Sequence, residues 1–292
     1  MSSTATIIHG NCIEEMKNLE AGSINAVICD PPYAEYPREY GHWTEVKWHE
    51  DMDPVVSETR RVLKPNGSAV FILQPNSVKA GQMRPWLWEF IAKYAKEWNL
   101  IQDVLWWNTC ALPVAGSTTQ GLCRPAIKYC VWLGSPDCCR NQEAVLWKES
   151  QQNAAHRAEN RAWHGKRPSG LSVNDKVSRN AAVRRGGVTP FNVLPYGSSG
   201  NGSGRGATTP LPLADWWTRY ITKPGDTILD PFCGSGTMGI AALKHGRNFI
   251  GIEKMEKYAH VAANRIIEKT GIAVEYRETT SKDDDNPLPL AI

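Results

Sequence analysis

Thr227-Ile228-Leu229-Asp230-Pro231-Phe232-Cys233-Gly234-Ser235-Gly236-Thr237 is the stretch that decides the fold. Its first three residues read as a buried strand with Asp230 at the end. The Gly-x-Gly that follows lets the backbone turn sharply and approach a ligand closely, before a helix over Met238 to His245 that Gly246 closes. Asn248 to Ile252 reads as the next strand and delivers Glu253 at its end, after which Met255, Ala259, Ala262 and Ile266 mark one face of a helix. Strand, glycine loop, helix and acid-ended strand form a unit of an open α/β sheet, which binds ligands outside the carboxyl ends of its strands.

Two ligand classes compete for this loop. Gly234, Gly236 and Gly239 satisfy G-x-G-x-x-G and Glu253 supplies the acid, so a dinucleotide and a nicotinamide oxidoreductase form one reading. Fewer than forty residues follow Glu253, so the remaining strands must come from the N-terminal side. No Gly-Lys-Ser/Thr follows the glycines, which excludes a phosphate loop. An adenosine-containing ligand without phosphate fits better: the glycines leave room, and Glu253 can hold both ribose hydroxyls. A merely solvated strand-end acid is the bland alternative.

The N-terminal side does supply strands. Thr6 to His9 reads as one, with Gly10-Asn11 as its turn and a short helix through Ile13, Met16 and Lys17 that Gly22 ends. Ala26-Val27-Ile28-Cys29 is the next, and it opens into Asp30-Pro31-Pro32-Tyr33. The two prolines stiffen the corner and remove two N–H donors, leaving acceptors only. Asp30 and the Pro31 carbonyl can each accept one N–H of an exocyclic amine, and Tyr33 offers a face for a flat ring. A plain strand-end turn is the alternative. Residues 34–50 read as a surface loop, Asp53-Pro54 as a helix start and Pro65-Asn66-Gly67 as its stop. Ser68 to Leu73, Ile101 to Trp107 and Ala126 to Leu133 read as strands. Leu87 to Trp98 and Pro212 to Ile221 read as helices.

At 292 residues, 41% apolar and 22% charged, the chain has the size and composition of a soluble globular protein with a full core. It has no apolar run long enough to span a bilayer, and Met1-Ser2-Ser3-Thr4 does not begin a secretory signal, so a cytoplasmic protein with reduced cysteines is expected. Zinc on Cys123, Cys130, Cys138 and Cys139 would want a Cys-x-x-Cys pair, which is absent, and no metal is expected. Charge is concentrated in one place. Gln151 to Gly206 holds nine Lys/Arg (Arg157, Arg161, Lys166, Arg167, Lys176, Arg179, Arg184, Arg185, Arg205) against two acids, a local +7 in a chain of net +3. A basic segment in a mildly acidic body points to a polyanion bound at one place, and Trp163 and His164 add stacking and base-edge contacts. Low aliphatic content and Gly200-Asn201-Gly202-Ser203-Gly204-Arg205-Gly206 mark this region as an insertion or flexible arm.

Asp-Pro-Pro-Tyr at 30–33, Asp-Pro-Phe-Cys-Gly-Ser-Gly-Thr at 230–237 and Gly251-Ile252-Glu253 together resemble the S-adenosylmethionine-dependent DNA amino-methyltransferases that act on N4 of cytosine or N6 of adenine. The order, with the catalytic tetrad first and the cofactor loop last, is similar to the family's beta arrangement. The resemblance implies a Rossmann-like class I methyltransferase fold, circularly permuted. Its seven-stranded mixed sheet has a reversed last strand, and the strand at Ile7 follows that at Ile250 in space. It also implies a catalytic half at 1–133, a basic target-recognition insertion at 134–206 and a cofactor half at 207–280; the tail at 281–292 lies outside it, and its run Asp283-Asp284-Asp285 is expected to be disordered.

Carried over residue by residue, the resemblance makes Asp30, Pro31, Pro32 and Tyr33 catalytic. Asp230, Phe232, Gly234, Ser235, Gly236, Thr237 and Glu253 become cofactor contacts, together with Asn11, Cys12 and Asp30. Asn11 stands where the family usually has Asp. The family's His-Pro-Thr-x-Lys-Pro is here Arg205-Gly206-Ala207-Thr208-Thr209-Pro210, in which Pro210 alone matches, and Thr208 and Thr209 take the methionine-carboxylate contact. Its Trp-x-Lys-x-Asn is changed to Trp106-Trp107-Asn108-Thr109-Cys110. Arg157, Arg161, Trp163, Lys166, Arg167, Arg179, Arg184 and Arg185 are the DNA contacts. The partner implied is double-stranded DNA with its target base flipped out, the product N6-methyladenine, the setting DNA methylation of the restriction–modification kind, and the assembly a monomer or homodimer. A DNA-binding protein with an inactive methyltransferase fold is the alternative of another class.

Overall fold

The structure, a computed structural model, describes residues 3–37, 41–111, 121–147, 184–197 and 209–279. It divides into two compact units, one of residues 1–139 and 192–292, the other of residues 140–191.

The first unit is built on a mixed sheet. Its strands are β1 (Ala5–His9), β2 (Ile24–Cys29), β3 (Leu63–Leu73), β6 (Leu100–Trp107), β7 (Ile127–Gly134), β8 (Val193–Pro195), β9 (Thr227–Asp230), β10 (Asn248–Glu253) and β11 (Val274–Glu278). They lie in the order β11-β1-β10-β9-β2-β3-β7-β6-β8, and β7 alone runs against its neighbours. β4 (Ser77–Lys79) and β5 (Gln82–Met83) make a separate hairpin. The sheet therefore has nine strands among the described residues rather than seven. The two extra ones are its edges: β11 alternates half-buried and exposed residues, and β8 is three residues long. β8 falls within 134–206, and it joins the sheet by pairing Val193 to Pro195 with Leu105 to Trp107. As the permuted order requires, β1 lies beside β10, with Ile7 opposite Gly251 and His9 opposite Glu253.

Among the described residues six helices flank the strands: α1 (Cys12–Lys17), α2 (Glu45–Val62), α3 (Trp86–Glu97), α4 (Leu211–Ile221), α5 (Thr237–Lys244) and α6 (Glu256–Thr270). One departs from the sequence reading. Helix α2 begins not at Asp53-Pro54 but at Thr44, whose hydroxyl caps the Lys47 N–H, and Pro54 lies inside it. An interior proline removes one helical hydrogen bond and costs about 3 kcal/mol. Burial of Trp48 and Met52 on the same face as Val55, Val56, Thr59 and Val62 offsets that, extending the helix into the stretch expected as loop. Asp53, read as a cap, instead accepts from Lys93 Nζ and Tyr94 OH at 2.7 and 2.6 Å, tying α2 to α3. Trp48, Trp86, Phe71 and Phe90 form the aromatic centre of the core on this face of the sheet.

The second unit is described over 140–147 and 184–191. A 3-10 turn (Gln142–Val145) is followed by an antiparallel bridge from Trp147 to Val188, with Phe191 edge-on to Trp147 at 5.0 Å.

Candidate active site

Because β1, β2, β9 and β10 are parallel, their carboxyl ends bring Asn11, Asp30, Asp230 and Glu253 to one end of the sheet. β7 runs the other way, so its beginning, at Lys128, reaches the same end. This explains how residues more than two hundred positions apart can form one site.

Asp30 follows β2 and has partners on both carboxylate oxygens. The Tyr33 hydroxyl donates to its Oδ1. On Oδ2, Thr209 Oγ1 donates at 2.9 Å, and the Lys128 ammonium stands at 3.5 Å. Lys128 Nζ also donates to the Tyr33 hydroxyl at 2.8 Å and lies over the Trp106 ring at 4.7 Å. The proline corner is fixed from α2, where Trp48 Nε1 donates to the Pro32 carbonyl at 2.6 Å. Its far side is held by Asn76, which donates to the Ala34 carbonyl at 2.6 Å and accepts from Trp86 Nε1.

The glycine loop lies between Asp230 and Glu253. Asp230 Oδ1 accepts the Phe232 N–H at 3.0 Å. Full burial, with Glu253 and Asp30 adding nearby negative charge, outweighs that bond and pushes the Asp230 carboxyl up to about 8. Glu253 accepts the Gly234 N–H on one oxygen at 2.7 Å and the Met255 N–H on the other at 2.9 Å, while burial raises its pKa. Both glycines have left-handed backbone, but for different surroundings. A Cβ on Gly234 (φ +53°) would meet only the Phe232 carbonyl, at 3.8 Å. On Gly236 (φ +77°) it would lie 3.2 Å from Cα, Cβ and O of Ala262 in α6. Gly234 is thus the loop position with open space above it, and Gly236 is required by helix packing. Ser235 accepts from Arg265, and Thr237 starts α5.

Asn11 caps α1 by accepting the Ile13 N–H at 2.9 Å. Burial pushes the Cys12 thiol up to about 12 and Cys130 likewise, and raises Cys29 and Cys233 as well, so these four sulfurs are thiols rather than nucleophilic thiolates. Thr209, expected on a cofactor carboxylate, is hydrogen-bonded to Asp30 instead; Thr208 lies outside the described residues. Of the basic segment, Arg184 and Arg185 are described and exposed, Arg185 donating to Gln142. Arg157, Arg161, Trp163, Lys166, Arg167 and Arg179 lie outside the described residues, as does the tail from 281.

Residues 24–264 match the family model described as DNA methylase, which covers N6 and N4 methyltransferases. The chain belongs to this family. It is 25% identical over 282 residues to the type II methyltransferase M.HinfI of Haemophilus influenzae, covering 90% of this chain and 68% of that one. It is also 25% identical over 264 residues to the DNA adenine methyltransferase YhdJ of Escherichia coli, covering 89% and 82%. Among solved structures, the cytosine-N4-specific PvuII DNA methyltransferase superposes with a TM-score of 0.67 at 18% identity, over 94% of this chain and 96% of that one. A putative DNA modification methylase of Thermus thermophilus complexed with S-adenosylmethionine gives 0.60 at 20% identity, over 94% and 99%. The protein is a DNA amino-methyltransferase with S-adenosylmethionine as cofactor. The loop leaves open space over Gly234, where a ligand can approach the backbone closely.

Two residues of the site escaped the sequence reading, Lys128 and Trp106 as its cradle. The available signal was a single cation in the apolar strand Ile127-Lys128-Tyr129-Cys130-Val131-Trp132-Leu133, since a charged residue is almost never buried unless paired.

Proposed function

We propose that this methyltransferase acts on N6 of an adenine flipped out of double-stranded DNA. The observation that carries the reading is Asp30, presented at a strand end beside a stiffened proline corner and oriented by three side-chain donors. S-adenosylmethionine supplies, when bound, a methyl group on a positively charged sulfur. The Glu253 oxygens each hold one backbone N–H, and their remaining lone pairs are offered to the ribose hydroxyls. The oxygen of Asn11 is occupied by the helix cap, so its NH2 is the group left to meet an acceptor nitrogen of the cofactor ring. Trp48 donates to the Pro32 carbonyl, which supports Asp30 and the Pro31 carbonyl as the acceptors of the target amine.

Those two acceptors turn the amine lone pair toward the methyl carbon and stabilise the positive charge that grows on nitrogen as the C–N bond forms and the C–S bond breaks. The nitrogen then loses one proton. Unstacking the base costs about a few kcal/mol, which stacking on Tyr33 and backbone contacts offset. Arg184, Arg185 and the rest of the basic segment bind the phosphates around the target.

The tetrad's hydrogen bonds treat adenine and cytosine alike. Asp in its first position, more usual for adenine enzymes of the family, and the likeness to YhdJ favour adenine. Incubating DNA with methyl-labelled cofactor, digesting it and separating the nucleosides tests both levels. Label in N6-methyladenine is expected; label confined to cytosine overturns the base assignment, and unlabelled DNA overturns the reaction.

A further inference from the structure

Lys128 is an ammonium, 4% exposed, with no place in the chemistry derived so far. Moving an ammonium out of water is strongly unfavourable unless its partners replace the lost hydration, and a methionine of similar length would fill the same space without that demand. Its surroundings are specific. The side chain leaves β7 on the face of Cys130 and Trp132, opposite Trp106 of β6 in register, and its ammonium meets the Trp106 ring, the Tyr33 hydroxyl and Asp30.

An ammonium can only donate. The Tyr33 oxygen therefore accepts from Lys128, and its single proton is directed to Asp30. Resting on the reading of Asp30 as the amine acceptor, we propose that Lys128 is a positioning residue for methyl transfer. It makes the Tyr33 hydroxyl a one-way donor and fixes the Asp30 carboxylate and the Tyr33 ring in one arrangement before the base enters. Thr209 and the Lys128 ammonium face the other oxygen, so the carboxylate is restrained from two sides, and Oδ1, whose one bond is to Tyr33, keeps a lone pair for the incoming amine. Acting through the phenol, the lysine influences the rate of transfer without touching the cofactor loop.

The test is a mutant cycle of Lys128→Met and Tyr33→Phe on the full-length protein, read by single-turnover methylation, DNA affinity, titration with S-adenosylmethionine and melting temperature. Lys128→Met should slow single-turnover transfer about thirtyfold while cofactor affinity stays within about threefold. Added to Tyr33→Phe, the same substitution should cost clearly less than it does in the wild-type background, because the route through the phenol is then gone and only the direct 3.5 Å approach to Asp30 remains. Lys128→Arg, which keeps a cation and its donors, should recover part of the rate. Losses that multiply in the double variant, or a wild-type rate in Lys128→Met, would overturn the proposal. If Lys128→Met loses its melting transition, Lys128→Gln takes its place in the cycle with the same two criteria. Wild-type transfer is the control: its failure sinks the base-methylation reading, whereas normal wild-type transfer with an indifferent Lys128 sinks this inference alone.

Discussion

Alanine at Gly234 and at Gly236 should separate two properties that the shared G-x-G motif runs together. Both positions lie in the left-handed region, where a side chain costs about 1–2 kcal/mol. At Gly234 that is the whole structural penalty, since the new Cβ meets only one carbonyl at 3.8 Å. At Gly236 the methyl would press on the backbone and side chain of Ala262 at 3.2 Å, and forcing apart a packed helix contact adds about 1–3 kcal/mol. With roughly 2–4 °C per kcal/mol for a domain of this size, Gly234→Ala should melt about 4 °C below wild type and Gly236→Ala about 10 °C below. Cofactor binding should rank the opposite way. The Gly234 methyl points into the space over the loop and should weaken S-adenosylmethionine by more than about tenfold, whereas folded Gly236→Ala should retain affinity within about tenfold. Thermal unfolding and calorimetric titration of both variants give the two orders. A Gly236→Ala protein that melts like wild type yet fails to bind the cofactor would refute the argument, because the ligand and not Ala262 would then be what the glycine accommodates.

Asp30→Asn should lower single-turnover transfer at least about a thousandfold with cofactor affinity within about tenfold, and a wild-type rate would remove Asp30 from the chemistry. Asparagine is preferred to alanine because it keeps a partner beside buried Lys128. Asp230 ionises near its ordinary 3.8 in the unfolded chain but at about 8 in the fold. Between those values the folded state binds the extra proton, so this group's contribution to stability falls as pH rises from about 4 to 8 and levels off above. Asp230→Asn should remove that slope, and melting curves of the two proteins that run parallel from pH 5 to 8 would contradict it. Replacing Arg184 and Arg185 by glutamine should weaken DNA binding and reduce its dependence on salt, with an unchanged salt slope placing them away from the phosphates.

What could be read from the sequence was what neighbours in the chain encode. Asp230 with its glycines, Glu253 and Asp30 each sit within a few residues of the strand that positions them, so the local pattern of apolar run and breaker was enough. Helix α2 was misplaced for the same reason. Asp53-Pro54 is a strong local start signal, and only the long-range burial of Trp48 against Trp86 and Phe90 shows that the helix begins nine residues earlier at its Thr44 cap. That Lys128 and Thr209 meet Asp30 lay beyond reach because they are 98 and 179 positions from it in the chain, and no local pattern records such a pairing. Strand β11 was missed because its Val274-Glu275-Tyr276-Arg277-Glu278 is an edge, with one face in water.

The position of β1 governs the order in which this protein can be made. Ala5 to His9 are synthesised before every other described strand, yet their sheet partners are the last two described: β10 from Phe249 and β11 from Val274. At about 5–20 residues per second, the opening strand waits roughly 15–55 s for its neighbours. Throughout that time Ile7 and Ile8, buried in the finished fold, have no strand to pair with. The whole proposed catalytic tetrad, Asp30 to Tyr33, is translated early, but the carboxyl ends that frame the glycine loop are complete only once the chain reaches Glu253. A nascent chain stopped short of that point has the tetrad and lacks the Glu253 carboxylate. Such sequence-distant pairing also makes for slow refolding in vitro, with closure of the β1–β10 ladder as a late step.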